Sequence, residues 1–370
     1  MPVHSDWSQR LREFVNKWKA ATDPRETEKY LGGRPFGNFV FTEPAASWDD
    51  FLRWLNELQG SWGFRGQREA WWLLDTSLDL ALKREFSFRD SSGYDTCGHH
   101  HLDREIAERE SLFRFQQQAH QYIANPPSSD DLSSWLALMQ HHGARTRLLD
   151  WTKSPHVAMY FAVEEEAQGE EKSSTVRAIV VDWLETRGRE LLGSEVRAEC
   201  LNGLLRLLRE KEEKSSAVWA IDLDWLEARG RELLGSEVPV PASGDPQAKA
   251  NYLNGLLRQP EKPVIVQINP VRIDDRMAAQ QGFFLCKLTR QASFSLILMD
   301  MMLHPDIPDR PVLRKLVVKS DLRITFLKKL REMNIHSASL FPGLDGFGKS
   351  LTLDQEIKVK EGSGPWPLPS

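Results

Sequence analysis

The sequence predicts an α+β fold, with helices packed against a β-sheet core. Short apolar runs that end at glycine or polar residues indicate buried strands, as at Trp62–Gln67 and at residues 264–268. Longer segments with apolar residues three and four positions apart indicate helices with one buried face, as at residues 48–58 and 319–333. The two kinds of element meet most clearly at residues 148–163, where a predicted strand runs directly into a predicted helix.

Composition and charge limit the classes of function. The 370 residues are 41% hydrophobic and 27% charged, which is ordinary for a globular chain long enough for a sizeable core. The net charge of -5 gives no general basic surface for nucleic acid, although a local basic groove stays possible. Three widely separated cysteines indicate a reducing compartment. With a polar N-terminus and no long apolar run, the chain is predicted to be cytoplasmic, without a signal peptide or membrane span.

The first elements along the chain are predicted from capping and periodicity. Residues 7–21 have the pattern of a short amphipathic helix. Ser47 is a good N-cap for a second helix, and two aspartates suit its first turn. The strand at Trp62–Gln67 then carries Arg65 between a phenylalanine and a glycine. A guanidinium in that position suits a phosphate or carboxylate, or alternatively ties down a loop.

A cluster of histidines at residues 99–101 follows Cys97 in a polar segment. Adjacent histidines point in different directions, and no second cysteine or histidine cluster lies nearby in the sequence. We therefore predict a solvated loop that leads into a helix over residues 101–125, and no metal site.

Residues 138–163 concentrate polar groups between two apolar runs. Ser154 is placed to cap a helix that begins at Pro155, after a short buried strand that ends near Thr152. The density of polar side chains predicts a functional site, although a well-capped turn with buried polar contacts is the alternative. The polar residues of this stretch are Gln140, His141, His142, Arg145, Arg147, Asp150, Thr152, Ser154 and His156.

A tandem duplication follows the central stretch. Residues 182–196 recur almost unchanged at residues 224–238, and each copy follows a strand-like run. Two copies are too few for a solenoid. We expect one copy to belong to the core and the other to be an insertion, with an accessory rather than a catalytic role.

The C-terminal part contains further strand-like runs before a final turn. Apolar runs at residues 264–268, 294–299 and 316–318 predict strands. Residues 343–350 contain a literal phosphate-loop pattern, but Pro342 precedes it and no parallel-sheet alternation surrounds it. A tight turn that opens a terminal helix is the better interpretation.

Several of these pieces, taken in order, resemble the FRG-domain family, which is named for its aromatic-Arg-Gly motif. The matching residues are 62–67, 141–163, 217–221, 280–283 and 340–346. The resemblance implies an N-terminal helical extension at residues 1–46 and an FRG-like domain at residues 47–353. A duplicated strand-helix segment at about residues 176–258 interrupts that domain, and residues 354–370 form a tail.

The layout also resembles ADP-ribosyltransferases, and this resemblance implies a split β-sheet core and NAD as the substrate. Arg65 would lie on the first strand of that layout, Thr152 and Ser154 on a second strand that runs into a helix, and Gln280 or Gln281 on a late strand. That late strand usually carries a glutamate, so Asp150 or Asp275 would have to supply the carboxylate. The residues that would contact NAD are Arg65, His141, Arg147, Tyr160 and Phe161.

The resemblance implies three alternative functions. The first is ADP-ribosylation of a macromolecule, protein or nucleic acid, by a toxin or phage-defence effector. His141 or His142 would contact NAD or act as the base on the acceptor. The second is a binding module for a nucleotide or phosphorylated ligand, which the missing glutamate favours. The third is a hydrolase of nucleotide or nucleic acid that uses Asp150 and His142.

Overall fold

Seven strands form one mixed sheet in the computed structural model. The structure describes residues 41–85, 100–165, 214–235, 246–258, 262–269, 275–290, 293–302 and 310–360. The strands are β1 (Phe41–Ala45), β2 (Trp62–Gln67), β3 (Leu148–Thr152), β4 (Ser215–Asp222), β5 (Ile265–Ile268), β6 (Gly282–Lys287) and β7 (Leu313–Lys319). Their order in the sheet is β1-β7-β4-β2-β3-β6-β5.

Twelve α-helices lie within the described ranges. They are α1 (Trp48–Asn56), α2 (Ser77–Glu85), α3 (His100–Ala119), α4 (Leu132–His141), α5 (Pro155–Val163), α6 (Leu223–Leu234), α7 (Pro246–Arg258), α8 (Asp275–Ala279), α9 (Phe294–Met302), α10 (Arg323–Glu332), α11 (Ser337–Leu340) and α12 (Leu344–Lys360). A 3₁₀ turn at Ser320–Leu322 leads into α10.

Two hydrophobic clusters lie on opposite faces of the sheet. On β4, Trp219 and Ile221 belong to the cluster that contains residues of α4, α6, α7 and α9. Val218 and Ala220 belong to the other cluster, together with residues of α1, α5, α10, α11 and α12. The alternation along β4 is that of a strand covered on both faces, so β4 is part of the structural core.

Local capping forms the turn between β3 and α5 as predicted. The Ser154 hydroxyl accepts a hydrogen bond from the Val157 backbone N–H at 3.3 Å, and Pro155 is the first residue of α5. Ser47 caps α1 in the same way, by accepting a hydrogen bond from the Asp50 backbone N–H. The predicted α+β class and both helix starts are therefore confirmed.

The strand predicted at residues 294–299 is wrong, because Phe294–Met302 is the helix α9. Phe294, Ile297, Leu298 and Met301 are buried, and their spacing of three and four positions is helical. A short, uniformly apolar run has no period that separates a buried strand from a buried helix.

The sequence analysis predicted a split sheet, but the strands form a single sheet in which the neighbours β2 and β3 have little backbone pairing. All neighbours are antiparallel except β1 and β7. Strands β2 and β3 share only the register pair Phe64↔Thr152. The sheet is therefore continuous, but β2 and β3 border a gap beyond this pair.

The predicted N-terminal extension and repeat segment both include or adjoin strands of this sheet. Strand β1 lies within the predicted N-terminal extension and pairs in parallel with β7. Strand β4 directly precedes the second repeat copy and helix α6 includes its first part, and β4 lies between β7 and β2. The predicted helix at residues 7–21 and the first repeat copy at residues 182–196 lie outside the described residues.

Candidate functional site

The three strands that carry the candidate residues are neighbours in the sheet. Strand β3 lies between β2 and β6. It pairs with β6 from Leu148↔Cys286 to Thr152↔Gly282, and with β2 at Phe64↔Thr152. Residues that are far apart in the sequence are therefore brought to one region.

Arg65 spans the gap between β2 and β3. Its Nη1 atom donates a hydrogen bond to the backbone carbonyl of Asp150 at 2.6 Å. Burial of the guanidinium lowers the pKa of Arg65, while the charge of Asp150 acts in the opposite direction. The Nε atom of Arg65 is buried and has no hydrogen-bond partner among the described residues. The guanidinium therefore supports the strand junction and keeps donor capacity for a ligand.

Asp150 presents an exposed carboxylate beside Arg65. Gln140, near the end of α4, donates from Nε2 to Asp150 Oδ2 at 2.8 Å. The side-chain oxygen of Gln140 in turn accepts a hydrogen bond from the hydroxyl of the buried Thr146. The carboxylate is thus held by a side chain that is itself oriented, as pre-organised sites require.

Gly66 lets helix α5 approach β2 closely. A Cβ atom at this position would lie 2.0 Å from the carbonyl oxygen of Ala158 and 2.5 Å from the backbone nitrogen of Ala162. Only glycine fits this contact. The position of Arg65, one residue earlier, is thereby fixed relative to the helix that follows β3.

Thr152 and Ser154 connect the end of β3 to the turn before β6. Thr152 donates from Oγ1 to the Gln280 carbonyl at 2.6 Å and accepts from the Ser154 backbone N–H at 3.0 Å. The Ser154 hydroxyl caps α5. Both hydroxyls have structural contacts in this arrangement, and they fix the edge of the candidate site.

The two glutamines before β6 have different environments. Gln280 is half-buried and donates from Nε2 to the carbonyl of Leu340 at 3.0 Å. Gln281 is exposed, and its backbone lies in the left-handed region with φ of 49°. Its carbonyl accepts from the Lys153 backbone N–H at 3.0 Å. Gln281 is therefore the glutamine that can contact a ligand.

Residues 60–171 match the family model of the FRG domain. The chain contains an FRG domain. The matched segment includes β2, β3, α5 and the Arg65–Asp150 contact between the two strands. No curated protein and no solved structure matches the chain.

Two predicted NAD-contacting residues of the FRG domain lie in the protein interior. Arg147 is fully buried, forms an ion pair with Glu108 at 3.2 Å, and donates hydrogen bonds to the carbonyls of Leu288 and Leu257 at 2.9 Å each. The hydroxyl of the buried Tyr160 lies 3.1 Å from both Glu164 Oε1 and Ser337 Oγ, and burial raises the pKa of Tyr160. These contacts connect elements of the fold, so the structure does not bring either side chain to the gap.

The remaining predicted residues of the FRG domain lie at the end of α4, the helix before β3, and in α5, the helix after it. His141 and His142 are exposed at the end of α4, directly after Gln140, with ring centroids 4.8 Å apart. Phe161 is half-buried and packs edge-to-face on Phe341 at 6.0 Å. The histidines thus stand on the helix that orients Asp150, where an acceptor could reach them.

Sequence analysis gave no particular role to Gln140 or Trp151. It noted Gln140 only as one polar residue among many, and it assigned no role to Trp151, which alternates with Asp150 and Thr152 on β3. The alternation along the strand was visible in the sequence, but the opposing strand was not.

Within the described ranges, no group of three or more His, Cys, Asp or Glu side chains could hold a metal ion. None of the helices in those ranges has the length and apolar character that a membrane span needs.

Proposed function

We propose that the FRG domain of this chain is an ADP-ribosyltransferase that uses NAD to modify a macromolecule. The observation that carries the proposal is the adjacency of β2, β3 and β6. These strands carry Arg65, Thr152 and the turn with Gln281, which are the three positions that the resemblance to ADP-ribosyltransferases selects. The gap between β2 and β3 lies beside Arg65, and such a gap beside an arginine is a suitable place for a dinucleotide.

The reaction breaks the bond between C1′ of the ribose and the nicotinamide nitrogen, and nicotinamide leaves with the electron pair. Positive charge develops on the ribose, and the acceptor then bonds to C1′ and loses a proton to a base. Arg65 binds the pyrophosphate, because a guanidinium forms paired, charge-assisted hydrogen bonds with phosphate oxygens. A carboxylate near the ribose stabilises the developing charge. His141 or His142 accepts the proton of the acceptor.

Asp150 is the better candidate than Asp275 for that carboxylate. It is exposed, its backbone carbonyl is bound to Arg65, and its side chain is oriented by Gln140. Asp275 is the exposed first residue of α8. Asp150 thus lies next to Arg65 and has a fixed orientation. A group must be positioned and oriented in advance in this way to stabilise a transition state electrostatically.

Experiment decides whether the modified macromolecule is a protein or a nucleic acid. A role as a toxin or phage-defence effector belongs to the same hypothesis.

A non-catalytic binding module is the second candidate, and one observation favours it. The turn before β6 presents the amide of Gln281, which can donate and accept hydrogen bonds but carries no charge. If Asp150 does not replace the missing carboxylate, the site holds a nucleotide without turnover.

The experiment is incubation of the full chain with labelled NAD and a whole-cell lysate. We expect transfer of label to protein or nucleic acid by the wild type and its loss in Arg65→Ala. Asp150→Asn should lower the rate by about 100-fold, the usual cost of one stabilising group at a developing charge. Asp275→Asn is the matched control and should keep its activity.

The outcomes separate the hypotheses. If Asp275→Asn loses activity while Asp150→Asn keeps it, the assignment of the carboxylate is wrong. Binding of NAD without any product over a long incubation would establish the binding module. Release of free ADP-ribose or cleavage of nucleic acid would instead identify a hydrolase.

A further inference from the structure

Two buried N–H donors without partners belong to side chains of β2 and β3, the strands that border the gap. The indole Nε1 of Trp151 is buried and has no hydrogen-bond partner among the described residues, and the same is true of Arg65 Nε. Trp151 as a whole is only 3% exposed. No step of the proposed reaction has so far used the Trp151 indole.

The strand register places Arg65 and Trp151 opposite each other on β2 and β3. Phe64 pairs with Thr152 in an antiparallel arrangement, so Arg65 and Trp151 are the next residues on either side of the gap. Residues opposite each other in an antiparallel pair project to the same face. Trp151 shares its hydrophobic cluster with Trp219, and Trp219 is the register partner of Arg65 on β4. Arg65 and Trp151 therefore belong to the same face of the sheet.

An unpaired buried donor is unfavourable, because the group has lost its hydrogen bonds to water. Most buried polar groups in folded proteins have a partner, so each exception calls for an explanation. The neighbouring Trp219 shows how such a donor is usually satisfied, since its indole N–H donates to Gln67 Oε1 at 2.6 Å. At Trp151 the corresponding acceptor is missing, at the place where strand pairing stops.

The two residues that are joined across the gap reach solvent. Arg65 is half-buried and Asp150 is exposed, although the two donor atoms themselves are covered. A ligand that draws the Arg65 guanidinium away from the Asp150 carbonyl would uncover both donors. The incoming group must then accept hydrogen bonds, and the cation favours an anionic acceptor.

We propose that Trp151 is a ligand-binding residue, whose indole N–H donates together with Arg65 Nε–H to a phosphate oxygen of a dinucleotide. An indole and a guanidinium can only donate, so an acceptor-only group such as a phosphate oxygen matches them. The identity of the ligand rests on the proposed function, but the binding role does not require turnover.

The test is calorimetric titration of the full chain with NAD, ADP-ribose and inorganic pyrophosphate. Trp151→Phe removes the indole N–H and keeps an aromatic ring. Trp54→Phe is the matched control, because Trp54 is also buried, also has an unpartnered indole N–H, and belongs to the opposite hydrophobic cluster. We expect affinity for ADP-ribose to fall about 10-fold or more in Trp151→Phe, as for the loss of one good hydrogen bond to a charged group. It should stay within about twofold in Trp54→Phe, since Trp54 belongs to the hydrophobic cluster on the opposite face of the sheet from Trp151.

A second measurement does not depend on the folding of a variant. In the wild type, the indole ¹⁵N–¹H signal of Trp151 should move downfield when ADP-ribose binds, while that of Trp54 should not. Equal affinities of wild type and Trp151→Phe, or an unchanged Trp151 signal in the bound state, would overturn the proposal.

The two proposals fail in different ways. Binding that depends on Trp151 without any transfer of label supports the binding role and rejects the transferase. Transfer of label that is unaffected in Trp151→Phe supports the transferase and rejects this role. If the folded wild type binds none of the three ligands, both proposals are wrong.

Discussion

Gly66 shows how one residue sets the distance between two elements. A methyl group there would collide with the backbone of α5 at Ala158 and Ala162. Backbone atoms cannot move aside as a flexible side chain can, so we expect Gly66→Ala to lower the free energy of unfolding by about 3 kcal/mol or more. Urea unfolding followed by circular dichroism measures this change.

Gly348 provides a matched control for this substitution. It lies inside α12, and a Cβ atom at this position would meet nothing within 4 Å. Gly348→Ala should therefore raise the free energy of unfolding by roughly 0.5–1 kcal/mol, the usual preference of a helix interior for alanine. Equal effects of the two substitutions would show that the close approach at Gly66 is unimportant.

At the residue scale, the sequence shows which chemical groups the chain carries better than it shows where those groups lie in the fold. Arg65 and Arg147 are both arginines beside predicted strands, and both were predicted to contact NAD. The structure places Arg65 at the gap, whereas Arg147 is fully buried and paired with Glu108. The difference depends on partners that lie far away in the chain, which no local pattern contains.

At the element scale, Asp131 couples the start of α4 to α7. As the N-cap, its carboxylate accepts from the Ser134 backbone N–H at 3.2 Å, and it also accepts from Asn254 Nδ2 at 3.1 Å and Ser133 Oγ at 2.9 Å. Burial alone would raise the pKa of Asp131, but these hydrogen bonds together lower it below the usual value of 3.8. We expect Asp131→Ala to lower the free energy of unfolding by about 1–2 kcal/mol at pH 7.

The pH dependence of this loss follows from the lowered pKa. The native state binds a proton on Asp131 less readily than the unfolded state, so its stabilisation is fully present above pH 3.8. It disappears as the pH falls through the native pKa. The stability difference between wild type and Asp131→Ala, measured by urea unfolding from pH 7 to pH 3, should therefore narrow only at the acidic end. A stability difference between wild type and Asp131→Ala that widens as the pH falls would contradict a lowered pKa of Asp131.

Elements with local signals were predictable, and elements without them were not. The start of α5 follows from Ser154 and Pro155, because a cap and a preset φ act within one turn of helix. Helix α9 has no comparable signal, since its apolar run at residues 294–302 fits a buried strand equally well. The choice is made by the hydrophobic cluster in which Phe294 and Ile297 pack, which is a tertiary effect.

At the scale of the whole molecule, the order of the strands in the sheet could not be predicted from the sequence. The three candidate strands were identified, but their adjacency depends on pairing between residues far apart in the sequence, since Thr152 pairs with Phe64 on β2 and with Gly282 on β6. The sequence analysis expected one of the two repeat copies to belong to the core without saying which, and β4, the strand directly before the second copy, lies between β7 and β2 in the sheet. Pattern alone cannot tell which of two near-identical segments enters a core.

A buried charge cluster connects the helices to the sheet. Glu108 on α3 is only 3% exposed and forms ion pairs with Arg147 at 3.2 Å and with Arg290 at 2.6 Å. Glu108→Gln would remove the negative charge that forms ion pairs with Arg147 and Arg290, and Arg147 is fully buried. We expect the free energy of unfolding to fall by about 3–5 kcal/mol. Urea unfolding of the full chain measures this loss.

The surface pair of Arg331 and Asp354 is the control, with the Arg331 side chain 42% exposed. Asp354→Asn should cost less than about 1 kcal/mol, because solvent screens an exposed ion pair. Since Arg147 is interior rather than at the gap, the folded fraction of Glu108→Gln should bind ADP-ribose as tightly as the wild type does. If Glu108→Gln instead loses much of its affinity for ADP-ribose and keeps its free energy of unfolding, Arg147 belongs to the binding site. The buried cluster would then serve the ligand rather than the fold.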